Sequence, residues 1–157
     1  MRAAVILFLT MSFSAAAYQD ISCWDADCFK NGWTRKDEST GAFTDYQCYR
    51  DGCKVSGWIV GGTQNGERYY TQCKPGGCFN DGWYEIDRDS QILIATVSCQ
   101  QRNCLKSGWV TYRGNWSLTT TCLAGDCERN GWLSQQPDNY IQATCKRGSC
   151  FTVGWIE

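Results

Sequence analysis

Twelve cysteines are the residues of this chain best suited to chemistry, and their spacing is regular. They form six pairs with four residues inside each pair. A Gly-Trp dipeptide follows every pair at the same distance, which gives the pattern C-x4-C-x3-G-W. Cysteines spaced in this way can form disulfides, bind a metal ion or exchange thiols. The pairs are Cys23/Cys28, Cys48/Cys53, Cys73/Cys78, Cys99/Cys104, Cys122/Cys127 and Cys145/Cys150.

Disulfides within each pair are the use that we predict. The enclosed residues are mostly turn formers, as in the Lys-Pro-Gly-Gly between Cys73 and Cys78. A turn of this size brings its flanking Cα atoms to about 5.5 Å, within disulfide reach. The alternative joins the second cysteine of one unit to the first cysteine of the next.

Metal binding and thiol exchange fit the pattern less well. Zinc sites favour two to four residues between cysteine ligands, so C-x4-C lies only at the edge of that range, and the chain contains no histidine. Thiol oxidoreductases use one C-x2-C pair, whereas this pattern occurs six times. We therefore predict neither a metal site nor a cofactor.

The remaining reactive side chains do not form a recognisable catalytic set. Without histidine there is no Ser-His-Asp or Cys-His arrangement. Two acid pairs stand out, Asp25/Asp27 and Asp87/Asp89, but the first lies between paired cysteines and the second in an expected hairpin tip, where Asp favours turns. A calcium role for Asp87, Asp89 and Ser90 lacks further oxygen ligands. We expect that the protein is not an enzyme.

The cysteine pattern marks six copies of one unit. Successive first cysteines lie 25, 25, 26, 23 and 23 residues apart, and all of this variation falls after the tryptophan. The ten residues from first cysteine to glycine, here called the knuckle, have constant length, whereas the segment after each tryptophan varies like a hairpin with an adaptable tip. The expected tips include Asp37–Gly41, Asn65-Gly66, Asp87–Ser90, Arg113–Asn115 and Pro137–Asn139.

Period-two alternation before each first cysteine predicts β-strands. The residue just before that cysteine is polar in every unit, and residues two or four before it are often apolar, as in Tyr46, Val97 and Ala143. The sequence therefore predicts an all-β fold of six two-stranded units, a disulfide-stapled antiparallel hairpin meander or solenoid. The ends of the chain supply most of one further unit, so a closed ring and an open meander are both compatible with the sequence.

The glycine and tryptophan that follow each cysteine pair are predicted to be structural. A recurrent glycine indicates a positive φ angle or a place where no Cβ fits, such as a bulge. We favour buried tryptophans that fill the core; an exposed, ligand-binding ladder is the alternative. These residues are Gly32, Trp33, Gly57, Trp58, Gly82, Trp83, Gly108, Trp109, Gly131, Trp132, Gly154 and Trp155.

Aromatic residues outside this motif are the candidate ligand contacts, although some could simply pair across strands. Gly57-Trp58 followed by Tyr69-Tyr70 resembles the short hairpin units of choline-binding cell-wall repeats. The resemblance covers one unit, and those repeats lack the cysteine pair, so it transfers no residue roles. The candidate contacts are Trp24, Tyr49, Tyr84, Tyr112 and Trp116.

The N-terminal segment predicts export. Arg2 precedes an apolar run from Ala3 to Phe13, and small residues at Ser14–Ala17 suit cleavage before Tyr18. We assign residues 1–17 to a signal peptide and 18–157 to one repeat domain. The apolar run is shorter than the roughly 20 residues that span a bilayer. We expect a secreted, periplasmic or cell-surface protein without a transmembrane anchor in the mature chain.

The net charge of the chain argues against nucleic acid as a partner. The chain has 15 basic and 16 acidic residues, and removal of Arg2 with the signal peptide leaves a net charge of −2. This balance lacks the basic surface that nucleic acid requires. We expect a non-enzymatic interaction module whose partner is an extracellular or periplasmic protein or a glycan, with the cell wall as one source of such a glycan. A self-associating fibre or adhesin component is the alternative, followed by a disulfide-rich protease inhibitor.

Overall fold

The computed structural model describes residues 18–61, 68–136 and 139–157. The predicted signal peptide (residues 1–17), the Asn65-Gly66 tip and Pro137 lie outside the described residues. The described chain is all-β apart from single turns of helix, as the alternating sequence pattern predicts. Its strands are β1 (Gln19–Cys23), β2 (Gly32–Asp37), β3 (Phe43–Cys48), β4 (Trp58–Gly61), β5 (Tyr69–Cys73), β6 (Gly82–Asp87), β7 (Leu93–Cys99), β8 (Trp109–Arg113), β9 (Trp116–Cys122), β10 (Trp132–Gln136), β11 (Asn139–Cys145) and β12 (Gly154–Ile156).

Short helical turns occur only in the knuckles of the described chain. In three units the second cysteine begins a four-residue helix: α1 (Cys53–Ser56), α2 (Cys104–Ser107) and α3 (Cys127–Asn130). In three units a turn of 3-10 helix follows the first cysteine, at Trp24–Ala26, Gln100–Arg102 and Leu123–Gly125. No helix in the described ranges is long and apolar enough to cross a membrane.

The sheet closes on itself. Consecutive strands pair antiparallel, and β1 also pairs with β12 through Asp20–Ile156, Ile21–Trp155 and Ser22–Gly154. Every described strand therefore has a neighbour on both sides, which removes the exposed edges that promote aggregation. Of the two arrangements compatible with the sequence, the structure has the ring. Because the strands run up and down, all six knuckles lie at one end of the barrel, and the described hairpin tips together with Tyr18 and Glu157 lie at the other.

The repeat tryptophans face the inside of the barrel and form a closed ring. Neighbouring indoles have ring centroids 5.0 to 6.3 Å apart, including the pair Trp33–Trp155 that completes the circle. All are buried except Trp109, which is partly buried. The core interpretation of these side chains therefore holds, and the ring supplies the apolar area that a chain poor in aliphatic residues otherwise lacks.

The glycine before each tryptophan is required by close approach of the next strand. At Gly82, φ is +105° and a Cβ would collide with the carbonyl oxygen of Val97 on β7. The corresponding glycine of every other unit also has positive φ and faces a carbonyl oxygen of the adjacent strand in the same way. L-residues with a Cβ rarely adopt this backbone conformation, so both predicted reasons for the glycine apply.

The knuckles are fixed covalently and by hydrogen bonds. All six disulfides join the two cysteines of one pair, with Cα–Cα distances of 4.4 to 4.7 Å, which confirms the predicted local pairing. In addition, the backbone N–H of a second cysteine donates to the preceding unit, as from Cys53 to the carbonyl of Phe29 and from Cys104 to that of Phe79. These bonds connect neighbouring knuckles, so each unit stabilises the next.

The two cysteines of a pair differ in burial, a difference that the sequence did not predict. The second cysteine is completely buried in every unit, whereas most first cysteines are only partly buried. At the ring closure the Cys28 N–H donates to the Phe151 carbonyl at 2.9 Å, and the Cys150 N–H donates to the Glu128 carbonyl at 2.8 Å.

This burial is consistent with the structural role predicted for the cysteines, all twelve of which form the predicted disulfides. The second cysteines belong to the core of the barrel and are out of reach of any ligand, because no part of their side chains meets solvent. Their role is confined to the disulfide and the packing around it. They are Cys28, Cys53, Cys78, Cys104, Cys127 and Cys150, each 0% exposed.

Candidate functional site

A cavity of about 330 Å³ lies inside the barrel. Its floor is the tryptophan ring, supported on the knuckle side by Phe29, Phe79, Leu105 and Phe151. The ring of Phe29 packs 4.4 Å from that of Phe79 and 4.3 Å from that of Phe151, which closes this end of the barrel. The cavity reaches the surface on the tip side, where Ile141 lines it and is 44% exposed.

The wall above the floor carries polar and charged side chains. Because strand residues alternate between faces, the residue two positions after each tryptophan also points inward. Four of these positions line the cavity: Arg35, Glu85, Ser134 and Glu157. The sequence alone could have identified these four residues, because each lies two positions after a repeat tryptophan. They were not predicted because it was left open whether the tryptophans point into the core or out to solvent.

Glu85 is held by two neighbours. Its carboxylate accepts a hydrogen bond from the indole N–H of Trp83 at 3.4 Å and forms an ion pair with Arg113 at 3.2 Å. The Glu85 side chain is 13% exposed. Burying a carboxylate is unfavourable unless it is paired, and Arg113 supplies that pair from β8, two strands away across the inner face.

Glu157 lies beside the ring at the end of the chain. Its carboxylate accepts a hydrogen bond from the indole N–H of Trp155 at 3.0 Å. Burial raises the pKa of Glu157 above the ordinary value for glutamate, and this effect exceeds the opposing influence of Trp155 and Arg35. The group is therefore a hydrogen-bond acceptor in a partly desolvated place.

Arg35 extends into the cavity from β2. Its guanidinium carbon lies 5.7 Å from the centre of the Tyr46 ring, within cation–π range. Tyr46 in turn stacks almost parallel on Trp33, with ring centroids 4.9 Å apart. Tyr69, which also lines the cavity, has its pKa raised by burial, and the charge of Arg35 opposes that rise. The positive charge of Arg35 thus acts on both Tyr69 and Glu157.

The opposite wall is neutral. Leu118 and Thr120 of β9, Ser134 of β10 and Ile141 of β11 line it. The hydroxyls of Thr120 and Ser134 are 2.9 Å apart and hydrogen-bonded to each other, which leaves each with further capacity to donate or accept. The cavity therefore combines an aromatic floor, a charged wall and a wall of hydroxyl and aliphatic groups.

The structure does not bring the five predicted contact residues together. Trp24 and Tyr49 lie in knuckles, and the Trp24 indole N–H donates to the Thr34 hydroxyl at 2.9 Å. Tyr84 and Tyr112 alternate with inward residues and therefore lie on the outer wall; Lys74 approaches the Tyr84 ring at 5.5 Å. Trp116, 45% exposed, shares the inner face of β9 with Leu118 at the cavity mouth.

The acid pairs considered from the sequence lie in turns, outside the cavity lining. The Asp27 carboxylate accepts from the backbone N–H groups of Phe29 and Lys30, each at 3.0 Å. Asp87 accepts from Asp89 N–H at 3.0 Å and from Ser90 N–H at 2.7 Å. Such bonds stabilise tight turns.

Together the fold and cavity define a disulfide-stapled all-β repeat barrel with an aromatic-floored cavity at its tip end. The six disulfides indicate an oxidising, extracellular environment. This architecture is compatible with an extracellular binding or structural module. No protein-family model, no curated protein and no solved structure matches the chain.

Proposed function

We propose that this protein is an exported, non-enzymatic binding module that holds a small carbohydrate in the barrel cavity. The observation that carries the proposal is the placement of Arg35, Glu157 and Ser134 above a floor of indole rings in one solvent-connected cavity. A residue set chosen only for packing would not retain charged groups at inward positions, because their desolvation is unfavourable.

A sugar ring matches this lining in its chemistry. The C–H faces of a pyranose are apolar and pack against aromatic rings, whereas its hydroxyls need several donors and acceptors around the edge. Here the indoles offer the apolar surface, Glu157 accepts, Arg35 donates, and the Thr120 and Ser134 hydroxyls do both. Pockets for small ligands have volumes of roughly 300–1,000 Å³, so a cavity of about 330 Å³ suits one or two sugar rings.

A glycan array with the mature chain, residues 18–157, tests this proposal. We expect retention of a limited set of glycans, with the glycan recovered unchanged after overnight incubation, as a non-enzymatic module requires. The Leu118→Trp variant, which fills the cavity from its neutral wall, should weaken binding at least tenfold. Tyr84→Ala and Tyr112→Ala on the outer wall are matched controls and should bind within about twofold of the parent.

Two outcomes would contradict the proposal. If no glycan is retained, the ligand is not a carbohydrate. If the outer-wall variants lose binding while Leu118→Trp retains it, the site is the aromatic outer surface rather than the cavity. Near-UV circular dichroism on every variant separates a lost site from a lost fold.

A fibre or adhesin component would self-associate, whereas a binding module of this kind would remain a monomer. Because each described strand is already paired on both sides, the barrel offers no free edge to another copy. We therefore expect a monomer by light scattering from micromolar to near-millimolar concentration. Concentration-dependent growth of the particle would favour the structural role instead.

A further inference from the structure

We propose that the carbohydrate is acidic and that Arg35 binds its carboxylate; this inference rests on the carbohydrate-binding function proposed above. The starting observation is a difference between two arginines of the inner face. Arg113 has the Glu85 carboxylate at 3.2 Å. Within the described residues no carboxylate lies within 4 Å of the Arg35 guanidinium.

Glu157 is close enough for the charge of Arg35 to oppose the rise of its pKa, but the two side chains do not form an ion pair within 4 Å. In the sheet Arg35 lies opposite Ile21 on β1 and Thr44 on β3, which are 1% and 7% exposed. Its guanidinium carbon lies 5.7 Å from the centre of the Tyr46 ring, so the stabilising contact from the neighbouring strand β3 is a cation–π interaction and not an ion pair. A partly buried arginine without an ion-pair partner would be stabilised by an anion that arrives with the ligand.

The platform beneath Arg35 is rigid, which favours a defined geometry. Tyr46 is 8% exposed and stacks on Trp33, which is also 8% exposed and belongs to the tryptophan ring. The guanidinium is therefore held above a fixed pair of aromatic rings. A planar guanidinium pairs with a carboxylate through two parallel hydrogen bonds, a geometry that a hydroxyl group cannot match.

The acidic residues of the cavity do not exclude a negative ligand. Glu85 is neutralised by its ion pair with Arg113. Glu157 already accepts the Trp155 indole N–H, and burial raises its pKa, so its ionised form is less favoured than that of an exposed glutamate. A sugar acid can thus place its carboxylate at Arg35, its ring on the indoles and its hydroxyls toward Thr120 and Ser134 on the opposite wall.

An array of matched glycans tests this inference. It pairs glycans that end in a uronic or sialic acid with their methyl esters, which keep the same ring and lose the charge. We expect the mature chain to bind the acids at least tenfold more tightly than the esters. The Arg35→Met variant, similar in length and uncharged, should bind acid and ester equally, and Arg35→Lys should restore part of the preference.

The outcomes separate this inference from the function on which it rests. If acids and esters bind the parent equally, or if Arg35→Met keeps the preference, the assignment of Arg35 is wrong while carbohydrate binding stands. If neither acids nor esters bind while neutral glycans are retained, only the acidic-ligand inference fails; if no glycan of any kind is retained, both proposals fail. Binding of the uncharged methyl esters by Arg35→Met shows that the cavity of this variant is intact.

Discussion

Gln19 and Glu157 exchange two backbone hydrogen bonds, from the Gln19 N–H to the Glu157 carbonyl at 2.8 Å and from the Glu157 N–H to the Gln19 carbonyl at 3.0 Å. These bonds join the first and last strands at the tip end of the barrel. A side-chain ion pair between Asp20 and Lys146 reinforces the same seam. The barrel is therefore closed by residues at the two ends of the described chain, and the cavity depends on that closure.

Circular permutation should be tolerated because these ends are adjacent. We expect a chain that links Glu157 to Tyr18 through a short Gly-Asn-Gly segment, and opens between Gly114 and Asn115, to fold with six disulfides. Both new ends lie in an exposed two-residue hairpin tip. Near-UV circular dichroism and thiol titration check the result.

The matched control opens the same joined chain between Trp83 and Tyr84, inside β6. This cut interrupts hydrogen bonds to both β5 and β7, so the control should fail to form a stable barrel. Equal stability of the two permutants would contradict the closed, strand-by-strand arrangement.

The repeat glycine should be far more sensitive to substitution than a glycine in a tip. Gly82→Ala introduces a Cβ against the Val97 carbonyl, so we expect a loss of about 3 kcal/mol or more in the free energy of unfolding. At Gly114 the φ angle is also positive, at +56°, but no atom lies within 4 Å of an added Cβ. Gly114→Ala should therefore cost only about 1 kcal/mol, from backbone strain alone. Urea unfolding at constant pH measures both, and similar losses would show that the close approach is not what requires glycine.

Each local disulfide should contribute modestly to the free energy of unfolding. Closing a loop of six residues is worth about 2 kcal/mol in the chain-entropy model, so the double variant Cys73→Ala/Cys78→Ala should lose about that amount and remain folded. The non-reduced parent should contain no titratable thiol among its twelve cysteines. Complete reduction removes all six closures, which together rival the roughly 5–15 kcal/mol stability of a typical domain, and should unfold the barrel. A fully reduced chain with unchanged circular dichroism would contradict this role.

Glu157 should make the barrel less stable as pH rises. Because burial raises its pKa in the folded state, the folded chain holds this proton more tightly than the unfolded chain. Below the ordinary glutamate value, near 4.5, both states are protonated and the group has no effect. Above it, ionisation progressively disfavours the folded state until the raised pKa is passed.

The matched variant for this effect is Glu157→Gln, which cannot ionise. The difference in melting temperature between Glu157→Gln and the parent should grow in favour of the variant as pH rises above about 4.5, and should level off once the raised pKa is passed. Comparing the two proteins cancels the contributions of Asp37 and Asp87, whose pKa values are lowered by hydrogen bonds to Ser39 and Ser90. A difference that is constant with pH would show that Glu157 ionises normally.

The cysteine turns and the alternating strands could be predicted from the sequence because each depends only on residues that are close together in the chain. The distance from Cys73 to Cys78 specifies a turn, and the alternation that ends in Val97 and Cys99 specifies an inward face. Both hold in the structure, where Val97 is 1% exposed. Ring closure could not be decided from sequence because it depends on how twist and stagger accumulate over twelve strands, a global property that no single unit encodes.

The candidate site was harder to foresee for a related reason. Arg35, Glu85 and Glu157 come from three different units, and each looks in the sequence like an ordinary surface residue of a hairpin. Their convergence follows only when the tryptophan is known to point inward, since residues two positions later then share its face. Tyr84 and Tyr112 were predicted as ligand contacts because they are aromatic residues outside the repeat motif, which the sequence shows without any knowledge of which face is inward.

Whether the ligand lies inside the barrel can be measured on the indole N–H resonances of the eight tryptophans. ¹⁵N–¹H correlation spectra are recorded during titration with the glycan that gives the strongest signal on the array. We predict shifts for Trp83 and Trp155, whose indoles donate to Glu85 and Glu157, and no shift for Trp24, whose indole donates to Thr34 at a knuckle. Saturable binding that leaves the resonances of Trp83 and Trp155 unmoved would contradict the account.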